Sequence, residues 1–377
     1  MIVYNYKQPC ITINNIASVV TETHLWKGLP FAVLAAFLAM FFRMYEDVQD
    51  RTWFRWQFMD AVVYKAVAAF ASFVIIFRIE AAYRRYRKGC EKAYNMQGDL
   101  FDAVSLLIAF CRKSKNGPEV VSDFQHRLVR MLSLMNAFIY ADLVGTKPAK
   151  ELLNFEVIDC DGLDIEGLKI LSSTKERLQM VFQWIQALVV DHMDSGTLNI
   201  PPPILTRFHE ESANAIVTIQ ECLNLTEVPF PFPLAVTAEI LLFIYSGMTA
   251  VMMVEWTKYL ATAALFTYLL VSVVWFFNGI AAALENPFEL QKHSLNTPEM
   301  QHEFNEHLLT LMNPSTQEVP KLTAEAIMNP TALYQMNEKD NMKSLRGSLS
   351  LGGSVQLGRA SNASRPSSHR SSNTSHV

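Results

Sequence analysis

Along the chain, long runs of apolar residues alternate with segments in which apolar and polar residues are mixed. An α-helix needs about 20 apolar residues to cross about 30 Å of hydrocarbon, so the apolar runs predict an all-α, multipass membrane protein. The third and fourth runs are separated only by Glu255–Tyr259, which predicts a tight helical hairpin. The first run is short, and we expect it to tilt or to extend through Leu25 and Trp26. The four runs are Leu29–Phe42, Phe58–Phe77, Leu234–Val254 and Leu260–Leu284.

The region between the two pairs of runs has a different pattern. Apolar residues recur at helical spacing in Leu100–Cys111, Phe124–Ala141 and Lys175–Val190, but polar residues interrupt each of these stretches. The pattern therefore predicts a cytosolic helical bundle. Glycine and proline mark its internal breaks, at Asn116–Pro118, Gly145–Pro148 and Pro201–Pro203.

These patterns divide the chain into six expected regions. The C-terminal tail, residues 341–377, lacks apolar periodicity and is rich in serine. It therefore cannot bury enough surface to fold and is expected to be disordered. The regions are an N-terminal cytosolic segment (1–24), a first membrane hairpin (25–96), the cytosolic bundle (97–231), a second membrane hairpin (232–284), a C-terminal cytosolic helical segment (285–340) and the tail (341–377).

The second apolar run carries the pattern most relevant to function. It ends in a cationic cluster, Arg78, Arg84, Arg85, Arg87 and Lys88, which marks the cytoplasmic membrane face by the positive-inside rule.

Within that run, Lys65, Ala69, Phe73 and Phe77 recur every fourth residue and share one stripe of the helix. A lysine followed by small and aromatic residues on one stripe is a pattern suited to an anion path.

Three motifs in order along the chain resemble bestrophins and their bacterial relatives. The stretch from Phe77-Arg78 through Ala82-Tyr83 and Arg85-Tyr86 to Glu91 is similar to the end of that family's second transmembrane helix. Pro231-Phe232-Pro233-Leu234 opens the third span, and Glu285-Asn286-Pro287-Phe288 follows the fourth. The resemblance covers roughly Leu25 to Leu311. It implies a homopentameric anion channel whose second helix lines the pore.

Carried over by position, the family's apolar neck falls on Ala69, Phe73 and Phe77. Aromatic ring edges are electropositive and can meet a partly dehydrated anion, and an apolar constriction can gate by dewetting. Ala69 is smaller than the residue that the family usually has, so the outer end of the neck is expected to be wider. The alternative is that Phe73 and Phe77 only pack between helices.

Lys65 lies one turn outward of Ala69 on the same face, so five copies would ring the outer vestibule and concentrate anions. Charged side chains inside spans usually face water or a partner. The alternatives are that Lys65 reaches toward the interface, or pairs with Asp60 or Glu239.

The turn after the fourth span bears on calcium. In calcium-gated members of the resembled family, a run of acidic residues follows this turn. Here Glu289 is followed by Leu290, Gln291, Lys292 and His293, and a single carboxylate beside a lysine is a poor site for a cation that needs several oxygens. We therefore expect a channel that calcium does not gate directly at this turn.

The C-terminus offers a partner motif. Ser375 stands two residues before the terminal Val377, which fits capture by a PDZ-type domain, where the peptide adds a strand and its carboxylate binds backbone amides. Such a tail favours the plasma membrane, although organelle membranes also fit.

Composition and charge narrow the range of functions that the sequence allows. The net charge of −4 is too small to indicate a nucleic-acid partner. Five scattered cysteines contain no Cys-x-x-Cys pair, so neither a disulfide framework nor a zinc site is indicated. The cluster His302, Glu303, Glu306 and His307 is near to, but does not match, a zinc-protease pattern. No cofactor and no enzymatic activity are expected.

The combined prediction is a bestrophin-like channel that passes chloride, and also bicarbonate, down their gradients. The main alternative is a membrane-anchored interaction protein that works through its bundle and tail. A membrane metalloenzyme is the third hypothesis.

Overall fold

The computed structural model describes residues 28–49, 61–145, 155–288 and 294–329, apart from the side chains of residues 46–49. Within these ranges the secondary structure is helical. The α-helices are α1 (Leu29–Gln49), α2 (Ala61–Phe110), α3 (Pro118–Val144), α4 (Ile165–Ser173), α5 (Arg177–Asp194), α6 (Pro202–Glu227), α7 (Phe232–Trp256), α8 (Leu260–Leu284), α9 (Thr297–Met312) and α10 (Pro314–Gln317).

Helix α2 is the longest element and connects two packing regions. Its 50 residues span about 75 Å at 1.5 Å per residue. The predicted boundary between the first membrane hairpin and the cytosolic bundle, at residues 96/97, falls inside this helix, which continues unbroken through it. The reason is that buried positions continue at three- and four-residue spacing past that point, so the same face keeps packing. These positions include Tyr64, Ala71, Ile75, Arg78, Ala82, Gly89, Ala93, Met96 and Leu100.

The first half of α2 packs with α7 and α8, and α1 packs on the same two helices. Aromatic rings join three of these helices: Phe31 of α1 stacks on Trp275 of α8 at 4.4 Å and meets Phe243 of α7 edge-on at 5.0 Å. Gly28 allows this approach, because a β-carbon there would lie 2.8 Å from the β-carbon of Trp275. Such close contacts fix α1 against the other two helices.

The described residues contain three helical stretches that are long and apolar enough to cross a membrane, Ala61–Lys113, Pro202–Trp256 and Leu260–Leu284. The apolar part of α1, Leu29–Tyr45, is shorter, as its sequence predicted. Apolar side chains of α1 nevertheless point outward, among them Leu34, Phe37 and Phe41. An outward apolar surface of this kind suits a lipid environment.

The second half of α2 packs with α3, α6 and α9, while α5 packs on α3, around one large apolar core. The predicted breaks are confirmed where they can be compared. Helix α3 begins at Pro118 and ends before Gly145, whose φ of 71° is the left-handed conformation that glycine adopts readily. Helix α6 begins at Pro202, within the predicted proline run.

A buried polar network ties α9 to α3 inside this core. The Gln301 amide nitrogen donates to the carbonyls of Ser133 at 3.1 Å and Glu156 at 2.9 Å, and its oxygen accepts from Asn136 at 2.8 Å. Asn305 donates to the same Glu156 carbonyl at 2.7 Å. Because Ser133, Asn136 and Gln301 are fully buried, each lost bond would leave a desolvated polar group.

We expect Gln301→Ala to lower the free energy of unfolding by about 2–3 kcal/mol, since it leaves buried groups of both helices unpaired. Thermal unfolding of the detergent-solubilised protein measures this loss. Glu303→Ala, an exposed change on the same helix, is the control and should alter stability by less than about 0.5 kcal/mol. Equal effects of the two variants would contradict a stabilising role for the network.

Candidate functional site: the exposed stripe of α2 and its cytoplasmic anchor

The stripe predicted from spacing lies on the exposed face of α2. Lys65 and Ala69 are exposed, and Phe73 and Phe77 are 65% and 56% exposed. Phe73 stands nine positions from Tyr64, a rotation of about 180° at 100° per residue, and Tyr64 is buried against α7. The stripe is therefore opposite the face that packs, and Phe73 and Phe77 do not pack between helices of the same chain.

Lys65 makes no ion pair with any described residue, so the pairing with Glu239 considered from sequence is not formed here. Asp60, the other candidate partner, lies outside the described residues. Ser72, also exposed, donates its hydroxyl to the Ala68 carbonyl of the same helix at 2.8 Å. Apart from Lys65 and Ser72, the outward side chains between residues 62 and 77 are apolar.

Arg78 occupies a different environment from the one that its place in a cationic run suggests. Its side chain is 6% exposed. It donates to the Asn278 side-chain oxygen at 2.6 Å and to one Glu285 carboxylate oxygen at 2.8 Å, and its guanidinium carbon lies 6.0 Å from the Phe230 ring centre. Arg78 therefore links α2 to the end of α8, and its charge is neutralised inside the protein.

The two other predicted arginines differ from each other. Arg85 donates to the backbone carbonyls of Leu225, Val228 and Glu285, so it joins the ends of α6 and α8 to α2. Arg84 is 76% exposed and pairs with Glu80 one turn earlier at 2.5 Å. Of the three arginines, Arg84 alone presents its charge at the surface.

The turn after α8 is packed against α2. Phe288 is fully buried, and its backbone N–H donates to the Asn286 side chain at 3.2 Å. Pro287 lies against Gly89, where a β-carbon would stand 2.5 Å from the proline Cγ. Together with Glu285, which Arg78 and Arg85 hold, the turn forms a junction between α2 and α8. We call this set of contacts the cytoplasmic anchor.

Several residues singled out from the sequence lie elsewhere. Ser375 and Val377 fall outside the described residues, as do residues 289–293, which carry the calcium argument. His302 bonds Glu156 at 2.6 Å, and this hydrogen bond raises the pKa of its imidazole. Among the described residues, no group of three or more His, Cys, Asp and Glu is placed to hold a metal ion.

Sequence reasoning missed two members of the anchor. Asn278 is a polar residue in the most apolar helix, and such a residue usually has a buried polar partner. Gly89 stands in a charged helical stretch where glycine weakens the helix, which signals a close contact. The sequence around Asn278 or Gly89 does not indicate which residue each contacts, since both contacts join segments about 200 positions apart.

Residues 11–310 match the model of the bacterial/fungal bestrophin family. The match covers well over half of the chain, and the protein belongs to the bestrophin family.

Solved structures agree with this assignment at the level of the fold. A crystal structure of a bacterial bestrophin homolog from Klebsiella pneumoniae aligns with a TM-score of 0.61 at 14% identity, covering 75% of this chain and 97% of that one. A point mutant of a bestrophin homolog from the same organism aligns with a TM-score of 0.62 at 14% identity, covering 77% and 99%. Comparison with curated protein sequences gives no match.

Family membership supports three statements about this chain. It is a membrane protein, it has the anion-channel activity of its family, and it assembles into an oligomer. Bestrophins are known as ion channels and not as enzymes.

We expect Gly89→Ala to destabilise the protein by about 1–3 kcal/mol, because the added methyl group overlaps Pro287 in a packed contact. Thermal unfolding in detergent is the measurement. Gly98→Ala is a matched control on the same helix, since its β-carbon would meet nothing within 4 Å, and it should stabilise by up to about 1 kcal/mol. A Gly89→Ala protein as stable as Gly98→Ala would contradict the packed anchor.

Proposed function

We propose that five copies of this chain form a pore that conducts chloride, and also bicarbonate, passively across a membrane, most simply the plasma membrane. The second membrane helix, the first half of α2, lines this pore. Ala69, Phe73 and Phe77 form its neck, and Lys65 stands at its outer mouth.

The observation that carries this proposal is the composition of the outward face of α2. This face is apolar between residues 66 and 77 except for Ser72, but it carries Lys65 at one end and Glu80 and Arg84 at the other. Charged side chains are costly in lipid and usually face water or a partner. A face that is apolar in the middle and charged at both ends suits an aqueous path with an apolar constriction.

Helix α1 provides the contrast within the same chain. Its outward positions Leu34, Phe37 and Phe41 are apolar and are accompanied by Val33 and Leu38. The one charged residue between Leu29 and Tyr45 is Arg43, and it is turned inward, where it donates to the Val254 and Lys258 carbonyls. Such a face suits lipid. The exposed face of α1 is therefore proposed to contact lipid, and the exposed face of α2 to line the aqueous path.

The neck residues act on anions through geometry and electrostatics. Five phenylalanine side chains at one level present ring edges, whose partial positive charge favours an anion that has lost part of its hydration shell. The same apolar ring disfavours water when it is narrow, which allows gating by dewetting. Ala69 leaves the outer level wider than the two phenylalanine levels.

Chloride current through the purified protein in planar bilayers tests the neck. We expect Phe77→Ala to widen the constriction and to change chloride conductance or selectivity several-fold, since the constriction dominates the resistance of such a pore. Phe37→Ala on the outward face of α1 is the control and should leave the current unchanged. A pentamer whose current is the same in both variants would contradict the assignment of the neck.

Lys65→Glu tests the polarity of the outer mouth. Five lysines attract anions and five glutamates repel them, so we expect chloride conductance to fall several-fold at low salt and less at high salt. The conductance of wild type and variant is compared at several chloride concentrations. No change at any concentration would contradict the vestibule, while a folded, non-pentameric protein without current would favour the interaction-protein alternative.

A further inference from the structure

A charged pair follows the proposed neck on the same face of α2. Glu80 and Arg84 lie within about 20° of Phe73 around the helix axis, and Glu80 stands about 4.5 Å beyond Phe77 along it. The two side chains are 56% and 76% exposed and their charged atoms are 2.5 Å apart.

The pair contributes little to the fold. An exposed ion pair one helical turn apart is worth about 0.3–0.5 kcal/mol, and among the described residues neither Glu80 nor Arg84 bonds a side chain or carbonyl of a neighbouring helix. Arg78 and Arg85 differ, because both are held in the cytoplasmic anchor. The exposed charges on this side of α2 after the neck are Glu80, Arg84, Arg87, Lys88 and Glu91.

A carboxylate at this position poses a problem for an anion path. Five copies of Glu80 next to the inner end of the neck would repel anions where water is scarce and screening is weak. Arg84 bonds the carboxylate through both its Nε and one terminal nitrogen, so it cancels that charge locally.

We infer that Arg84 sets the charge selectivity of the inner mouth by neutralising Glu80, an inference that rests on the proposed pore. Glu80 and Arg84 are thus specificity-determining residues of the permeation path. The positive charge of Arg84 allows anions to enter the inner mouth, and the negative charge of Glu80 limits how strongly the inner mouth attracts them.

The experiment measures the reversal potential of purified channels in bilayers with a sodium chloride gradient. Arg84→Gln leaves five bare carboxylates, so the chloride-to-sodium permeability ratio should fall several-fold. Glu80→Gln leaves five bare guanidinium groups, so the ratio should rise. The double variant removes both charges and should lie between the single variants, close to wild type. The shifts of the two single variants should shrink at high salt.

A second ion pair in the same chain is the matched control. Arg127 and Asp123 on α3 are also four residues apart, are 59% and 50% exposed, and approach to 2.9 Å. Arg127→Gln and Asp123→Asn should leave the reversal potential unchanged. Thermal unfolding should be nearly unchanged in every variant, since exposed pairs contribute little to stability.

The outcomes separate this inference from the proposed function. If Phe77→Ala changes the current but both Glu80→Gln and Arg84→Gln keep the wild-type reversal potential, the pair does not face the path and the inference is wrong. Shifts of both single variants in the same direction would also overturn it, because that result indicates a shared structural effect. A wild-type protein without anion current would overturn the proposed function and the inference with it.

Discussion

The rotation of α2 about its axis depends on the burial of Arg78. A guanidinium that is taken out of water must keep its partners, and Asn278 and Glu285 provide them at 2.6 and 2.8 Å from the end of α8. Removing one partner of such a buried pair typically costs about 3–5 kcal/mol. Since Arg78 must point toward α8, Phe73 and the rest of its stripe must point away from the packed helices.

The cytoplasmic anchor extends this constraint to neighbouring elements. Arg85 binds carbonyls at the ends of α6 and α8, and Gly89 lets Pro287 approach the α2 backbone. The turn after α8 therefore lies against the same helix that carries the proposed neck.

Much of this architecture follows from the sequence, and the remainder has identifiable physical causes. Hydrophobic spacing predicted the apolar helices, proline and glycine predicted both ends of α3 and the start of α6, and four-residue spacing predicted the stripe from Lys65 to Phe77. The continuity of α2 was missed, because its composition changes from apolar to charged while its buried spacing persists.

The contrasting roles of the arginines could not be predicted. Arg78, Arg84 and Arg85 look alike in a cationic run, and only long-range packing decides which of them is buried, which clamps carbonyls and which stays exposed. Asn278 and Glu285 are some 200 positions away from Arg78 in sequence, so local patterns carry no information on their contact.

Thiol modification during anion current recording would test most directly whether the outward face of α2 lines the permeation path. Phe73→Cys places a thiol on the exposed face of α2, and Phe37→Cys places one on the exposed face of α1. The native chain is the control for reaction of the reagent with the cysteines already present. A negatively charged methanethiosulfonate reagent should reduce chloride current through Phe73→Cys channels and leave Phe37→Cys and native channels unaffected. Equal responses of the two variants, or no response at Phe73→Cys despite confirmed labelling, would contradict a pore lined by α2.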